Sequence, residues 1–113
     1  MTTITAQPAL DLPDLIEPDY EPALTLDERY ALWIAANPHV LDALEALAVR
    51  WPDGKRIGVK ALAEVLRYRS GMETTGSPWR IDNSFVSRLA RDLVARRPDL
   101  DGRIERRRLR TDP

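Results

Sequence analysis

Through most of the chain the apolar residues recur at the three- and four-residue spacing of amphipathic helices. The clearest case is PHVLDALEALAVRW, residues 38–51, where Val40, Leu41, Leu44, Leu47, Ala48 and Trp51 fall on one side. Asn37 stands before this run as a cap, and Pro38 takes the first helical position, where a missing N–H costs nothing. WPDG, residues 51–54, closes the helix with a turn. An earlier helix is signalled by Thr25 and Glu28, spaced as a capping box ahead of Tyr30, Leu32, Trp33 and Ile34, and it should stop near Asn37. A third helix is predicted from Lys60 to Tyr68, burying Leu62, Val65 and Leu66. A short strand from Arg56 to Val59 precedes it, weakened by Gly58. Arg69 to Ile81, with Gly71, Gly76 and Pro78, reads as a 13-residue loop.

The fourth helix runs from about Asp82 to Arg97, capped by Asp82 or Asn83 and closed by Pro98. Ile81, Phe85, Val86, Leu89, Ala90, Leu93 and Val94 cover its broad apolar side; Ser84, Ser87, Arg88, Arg91 and Ala95 lie opposite. A turn at Asp101-Gly102 then leads into a basic segment. Residues 1–23 follow no such period. Pro8, Pro13, Pro18 and Pro22 interrupt every element there, and Asp11, Asp14, Glu17, Asp19 and Glu21 meet no opposing charge. The expectation is a disordered, flexible acidic tail over 1–23, with Leu10, Leu12, Leu15 and Ile16 as residues able to dock. The fold class is therefore mainly α: one small helical domain over 24–113, helix-turn-helix or winged-helix-like.

Charge adds what periodicity does not. The net charge of −1 over 113 residues conceals an asymmetry. Residues 1–49 hold one basic and nine acidic residues, a net of −8; residues 50–113 hold sixteen basic and nine acidic, a net of +7. Such a division between halves hints at nucleic-acid contact, membrane contact or an acidic tail. The fourth helix suits the first of these. In a helix-turn-helix the start of the second helix enters the major groove, and small residues there permit close approach. Ser84 and Ser87 would bind near phosphate, while Arg88 and Arg91 would read guanine edges. Lys55, Arg56, Lys60, Arg67 and Arg69 would touch phosphates, joined by Arg106, Arg107 and Arg108 of the terminal segment. The long connection before the helix departs from the usual 3–4-residue turn. A winged helix tolerates more, and would use Ile57 in its first strand and RIERRR as part of the wing.

NPHVLDALEALA, KRIGVKALAEVLRY, TTGSPWRIDNSFVSRLARDL and IERRRLR together resemble a group of short bacteriophage and prophage proteins, over about residues 28–110. The shared pattern is an Asn-Pro with a Val soon after, an apolar helix, an IK.L.EVLR helix, an NN..S..AR.L helix, a proline and a closing E.R.L segment. Here Val59-Lys60 stands for Ile-Lys and Asp82-Asn83 for Asn-Asn. The resemblance implies a phage origin. It brings no assigned activity and no catalytic residue.

Other chemistries find little support. With no cysteine there is neither a disulfide framework nor a thiolate metal site. His39 is the lone histidine, in a first helical turn. No nucleophile elbow and no phosphate-binding glycine loop is present. Asp42 and Glu45 share a helix edge that reads as solvated. Trp33 and Trp51 should be core, and Trp79, beside Pro78, a plug that pins the loop. No enzymatic activity, metal or cofactor is expected. The start of the chain lacks the features of a signal peptide, and no run suffices to span a membrane, so a cytoplasmic location is expected. The partner expected is double-stranded DNA, bound by a regulatory or accessory protein, with a homodimer as a possible assembly. The alternative is a protein that binds and modulates a host protein, inhibiting it or mimicking nucleic acid through its acidic tail.

Overall fold

A computed structural model describes residues 12–52, 54–73 and 78–105. Four helices and two short strands occupy them: α1 (Leu26–Ala36), α2 (Pro38–Val49), β1 (Ile57–Gly58), α3 (Val59–Glu73), α4 (Val86–Arg96) and β2 (Ile104–Glu105). Single 3-10 turns at Asn83–Phe85 and Pro98–Leu100 flank α4. Among the described residues no helix is long and apolar enough to cross a membrane.

The capping box of α1 forms as its spacing predicts. Thr25 Oγ1 accepts from the Glu28 amide at 3.1 Å, and the Glu28 carboxylate accepts from the Thr25 amide at 2.8 Å. These two bonds hold the Glu28 carboxyl below its ordinary pKa. The apolar faces of α2, α3 and α4 meet around Val40, Leu44, Leu62, Leu66, Leu89 and Leu93, all fully buried. At one end of this core α1 adds an aromatic cluster. The Phe85 ring lies 5.4 Å from that of Tyr30, edge-on, and 5.1 Å from that of Trp33. Such pairs contribute about 0.5–1.5 kcal/mol each beyond the area they bury. Asp92 on α4 accepts from the Tyr30 hydroxyl. Burial first, and this bond second, push the Tyr30 hydroxyl's pKa upward.

At the other end, β1 and β2 pair in parallel, with Ile57 opposite Ile104 and Gly58 opposite Glu105. Both isoleucines are buried. The pairing is locked from the side by Arg103, whose guanidinium donates to the Pro52 carbonyl at 2.7 Å and to the Lys55 carbonyl at 3.2 Å. Gly54 takes a φ of 79° in the turn between them, a left-handed conformation that suits glycine.

Four details differ from the sequence pattern. First, the acidic segment is not a free tail as far as residue 23. From Leu12 onwards it is an extended strap laid across the helices. Leu12 joins the core, Leu15 and Tyr20 pack against it, and the Pro13 carbonyl accepts from Trp79 Nε1 at 3.0 Å. Residues 1–11 lie outside the described residues. Second, the Asn37 side chain does not cap α2. Its amide turns to the strap instead, accepting from the Ile16 amide at 2.7 Å and donating to the Ile16 carbonyl at 2.7 Å. A side-chain amide thus does for one residue of an extended chain what a neighbouring strand would do.

Third, α3 continues past Tyr68 to Glu73 through Ser70 and Gly71. Ser70 is buried; its hydroxyl donates to the Arg67 carbonyl at 3.0 Å and accepts from the Trp79 amide at 2.8 Å. A Cβ on Gly71 would stand 3.2 Å from Pro78 Cγ, so the glycine admits the returning chain. Fourth, Trp51 is only half-buried, with its Nε1 donating to the Arg56 carbonyl at 3.0 Å. Trp33 and Trp79 are core, and Trp79 pins its loop as expected.

Candidate nucleic-acid interface

The start of α4 is organised by Asp82. Its Oδ1 accepts both the Ser84 amide, at 2.8 Å, and the Ser84 hydroxyl, at 2.6 Å. The Ser84 side chain is therefore already used in the cap, although exposed. Those bonds hold the Asp82 carboxyl below its ordinary range. A lowered carboxyl pKa contributes stability above the unfolded value, near 3.8, and the contribution is lost as pH falls through the lowered folded value. The expected result for Ser84→Ala is a stability deficit at neutral pH that shrinks as pH drops below that range. Thermal melts across a pH series check it.

Further along, the arginines of α4 are drawn to carboxylates on α1 and α2. Arg88 Nε donates to Asp27, and Arg88 Nη1 reaches the Ser84 carbonyl at 3.3 Å. The Arg88 side chain is 16% exposed. It is laid against the first helix, where the sequence pattern placed it in a groove. Arg96 donates to Asp42 at 2.6 Å and approaches Glu45 at 3.5 Å. Arg97 pairs with Glu45 at 3.2 Å and with Asp99 at 2.8 Å. Asp99 is held below, and Arg97 above, its ordinary pKa by these bonds. Ser87 is half-buried, and Arg91 is exposed and takes part in an interaction of its own. The opposite charges of the two halves of the chain thus meet in part inside the molecule. Each exposed pair is worth at most about 1 kcal/mol. Together they fix how α4 lies on α1 and α2.

The other cationic residues gather elsewhere. Lys55, Arg56 and Lys60 are exposed where β1 passes into α3. Lys55 and Lys60 have no carboxylate within ion-pair distance among the described residues. Arg67 follows two turns on, exposed and 3.7 Å from Glu64, and Arg69 is half-buried. Lys60, Ala63, Glu64 and Arg67 form one wall of a shallow cleft whose other wall is Ile81, Asn83 and Val86. Arg106, Arg107 and Arg108 lie outside the described residues.

Lys55, Arg56 and Lys60 are thus brought together, while Ser84 and Arg88 are tied down elsewhere. Sequence reasoning missed the roles of Arg103 and Asn37. Arg103 appeared as one of many arginines in the terminal stretch, and Asn37 had an ordinary local explanation as a cap. Asp27–Arg88 did leave a signal, namely the opposite net charge of the two halves. Among the described residues no group of three His, Asp or Glu is placed to hold a metal. Comparison with family models, with curated proteins and with solved structures gave no match.

Proposed function

We propose that the protein is a DNA-binding regulatory or accessory protein, winged-helix-like in plan. Its phosphate-gripping edge is made by the residues flanking β1 and by the start of α3, with Arg106, Arg107 and Arg108 as further cations of the sequence. The observation that carries this reading is the group of exposed cations, Lys55, Arg56 and Lys60, where β1 passes into α3. Clustered cations of this kind displace condensed counterions from a duplex, which supplies sequence-independent affinity. In this arrangement α4 is the scaffold, held by Asp27, Asp42 and Glu45, and base contact is proposed for Ser87 and Arg91 of its outer face. A phage origin, implied by the resemblance to short phage proteins, belongs to the same proposal.

The test is a titration of labelled duplex over a range of salt concentrations. Lys55→Ala with Lys60→Ala should weaken binding to every sequence alike and lower the salt slope by about 0.9 per lost phosphate contact. An unchanged slope in the folded double variant would remove this edge from the interface. A second reading, a protein that binds a host protein, draws on the strap: its backbone is docked, yet Asp14, Glu17, Asp19 and Glu21 remain exposed. It expects host-protein capture to fail when those four are changed to their amides, with duplex binding unaltered.

A further inference from the structure

The exposed ridge of α3 carries two large apolar side chains one turn apart. Tyr68 and Met72 are each 68% exposed, although the helix has a complete buried face in Val59, Leu62 and Leu66. They border an open groove of about 430 Å³ completed by Glu64, Arg67, Gly71 and Pro78. The volume lies in the range of about 300–1,000 Å³ found for small-molecule sites. The floor is rigid: Pro78 sits against Gly71, and the neighbouring Trp79 amide is bonded to Ser70. The helix has an excess of positive charge: Lys60, Arg67 and Arg69 stand against Glu64 and Glu73, and Lys55 and Arg56 precede it.

We propose that this ridge is a stacking platform for an unpaired nucleobase, with Tyr68 as the stacking ring, Met72 as its apolar border and Arg67 beside the adjoining phosphate. The proposal rests on the DNA-binding reading above and deepens it: the ligand would be a duplex with a single-stranded end, or a single strand. Charge complementarity selects this occupant. A polyanion with aromatic faces matches an exposed ring beside Arg67 on a helix of net positive charge, and every base presents a π-face, so stacking needs no particular sequence. The duplex-binding edge and the ridge lie on the same helix, Lys60 at its start and Tyr68 two turns later. A strand leaving the duplex can therefore follow α3 along its length, about 1.5 Å per residue.

The full-length protein should be titrated by fluorescence anisotropy with a labelled oligothymidylate and with a duplex of equal length. Tyr68→Ala is expected to weaken single-strand binding by roughly 5- to 100-fold, the range of one lost base stack. Duplex binding should stay within about twofold, since phosphate contacts govern it. Tyr68→Phe, which keeps the ring, should bind the single strand like the parent. Because the side chain is mostly exposed, the alanine variant should melt as the parent does. Single-strand binding unchanged in Tyr68→Ala overturns the platform. A parent that binds duplex and ignores the single strand overturns it too, while leaving the edge formed by Lys55 and Lys60 intact. A folded parent that binds neither removes both proposals. If sedimentation shows a dimer that Tyr68→Ala dissociates, with single-strand affinity unaltered, the ridge is covered by a second copy of the chain and the platform is overturned.

Discussion

Replacing Trp79 with alanine is expected to cost about 3–5 kcal/mol, the range for deleting a large buried aromatic. The side chain is 1% exposed and stands edge-on to His39, with ring centroids 5.5 Å apart. Its indole N–H is the donor for the Pro13 carbonyl, so the variant combines a cavity with a loosened strap. Small domains have only about 5–15 kcal/mol of net stability, so much of it would go. Trp79→Phe separates the two contributions. It fills most of the space but supplies no donor, and should add back all except the hydrogen bond and the residual void. Urea denaturation measures the loss, and hydrogen exchange at residues 12–20 reports the strap. A deficit below about 1 kcal/mol for the alanine variant would mean that the site collapses around the missing ring.

Asn37→Ala should follow at about 2–4 kcal/mol, because the amide is fully buried and three backbone groups depend on it. Besides its two bonds to Ile16, it donates to the Trp33 carbonyl at 2.9 Å. Asn37→Asp is nearly isosteric and should be worse than alanine. The carboxylate can still accept from the Ile16 amide, but it points an oxygen at two carbonyl oxygens and buries a charge with no cation beside it. The order of stability expected is asparagine, then alanine, then aspartate, read from denaturation midpoints at neutral pH. An aspartate variant as stable as the parent would show that water reaches the site and that Asn37 does not hold the strap alone.

The helices were legible in the sequence because local signals and burial agree there. Thr25 and Glu28 carry the α1 cap, Val40, Leu44 and Leu47 carry the buried stripe of α2, and Phe85, Leu89 and Leu93 carry that of α4. What was not legible is the work of side chains whose partners are distant in sequence. Asn37 next to Pro38 satisfies the local rule for a helix cap, and only the strap, 21 residues upstream, offers it something better. Gly71 looks like a helix breaker until Pro78 packs over it. Arg88 sits where a groove-reading residue would sit, yet Asp27, 61 residues away, takes it. In the candidate site, composition pointed to cations in the second half of the chain. Which of them are tied to carboxylates depends on how α4 lies on α1 and α2, where Asp27 takes Arg88 and Asp42 takes Arg96.

The strap also sets an order of events during synthesis. Its anchors, Leu12, Pro13 and Ile16, leave the ribosome early, while Trp79 emerges 66 residues after Pro13. At about 5–20 residues per second, the strap waits several seconds for its seat to exist. Over that interval Leu12, Leu15 and Ile16 are exposed leucines and an isoleucine on a nascent chain, a hazard for sticking to other chains. The carboxylates at Asp11, Asp14, Glu17 and Asp19 and the prolines between them keep such a segment hydrated and unable to pair as a strand. On this view the acidic, proline-broken composition of the strap is a holding device. It keeps the strap hydrated and unpaired until Trp79 arrives to receive it.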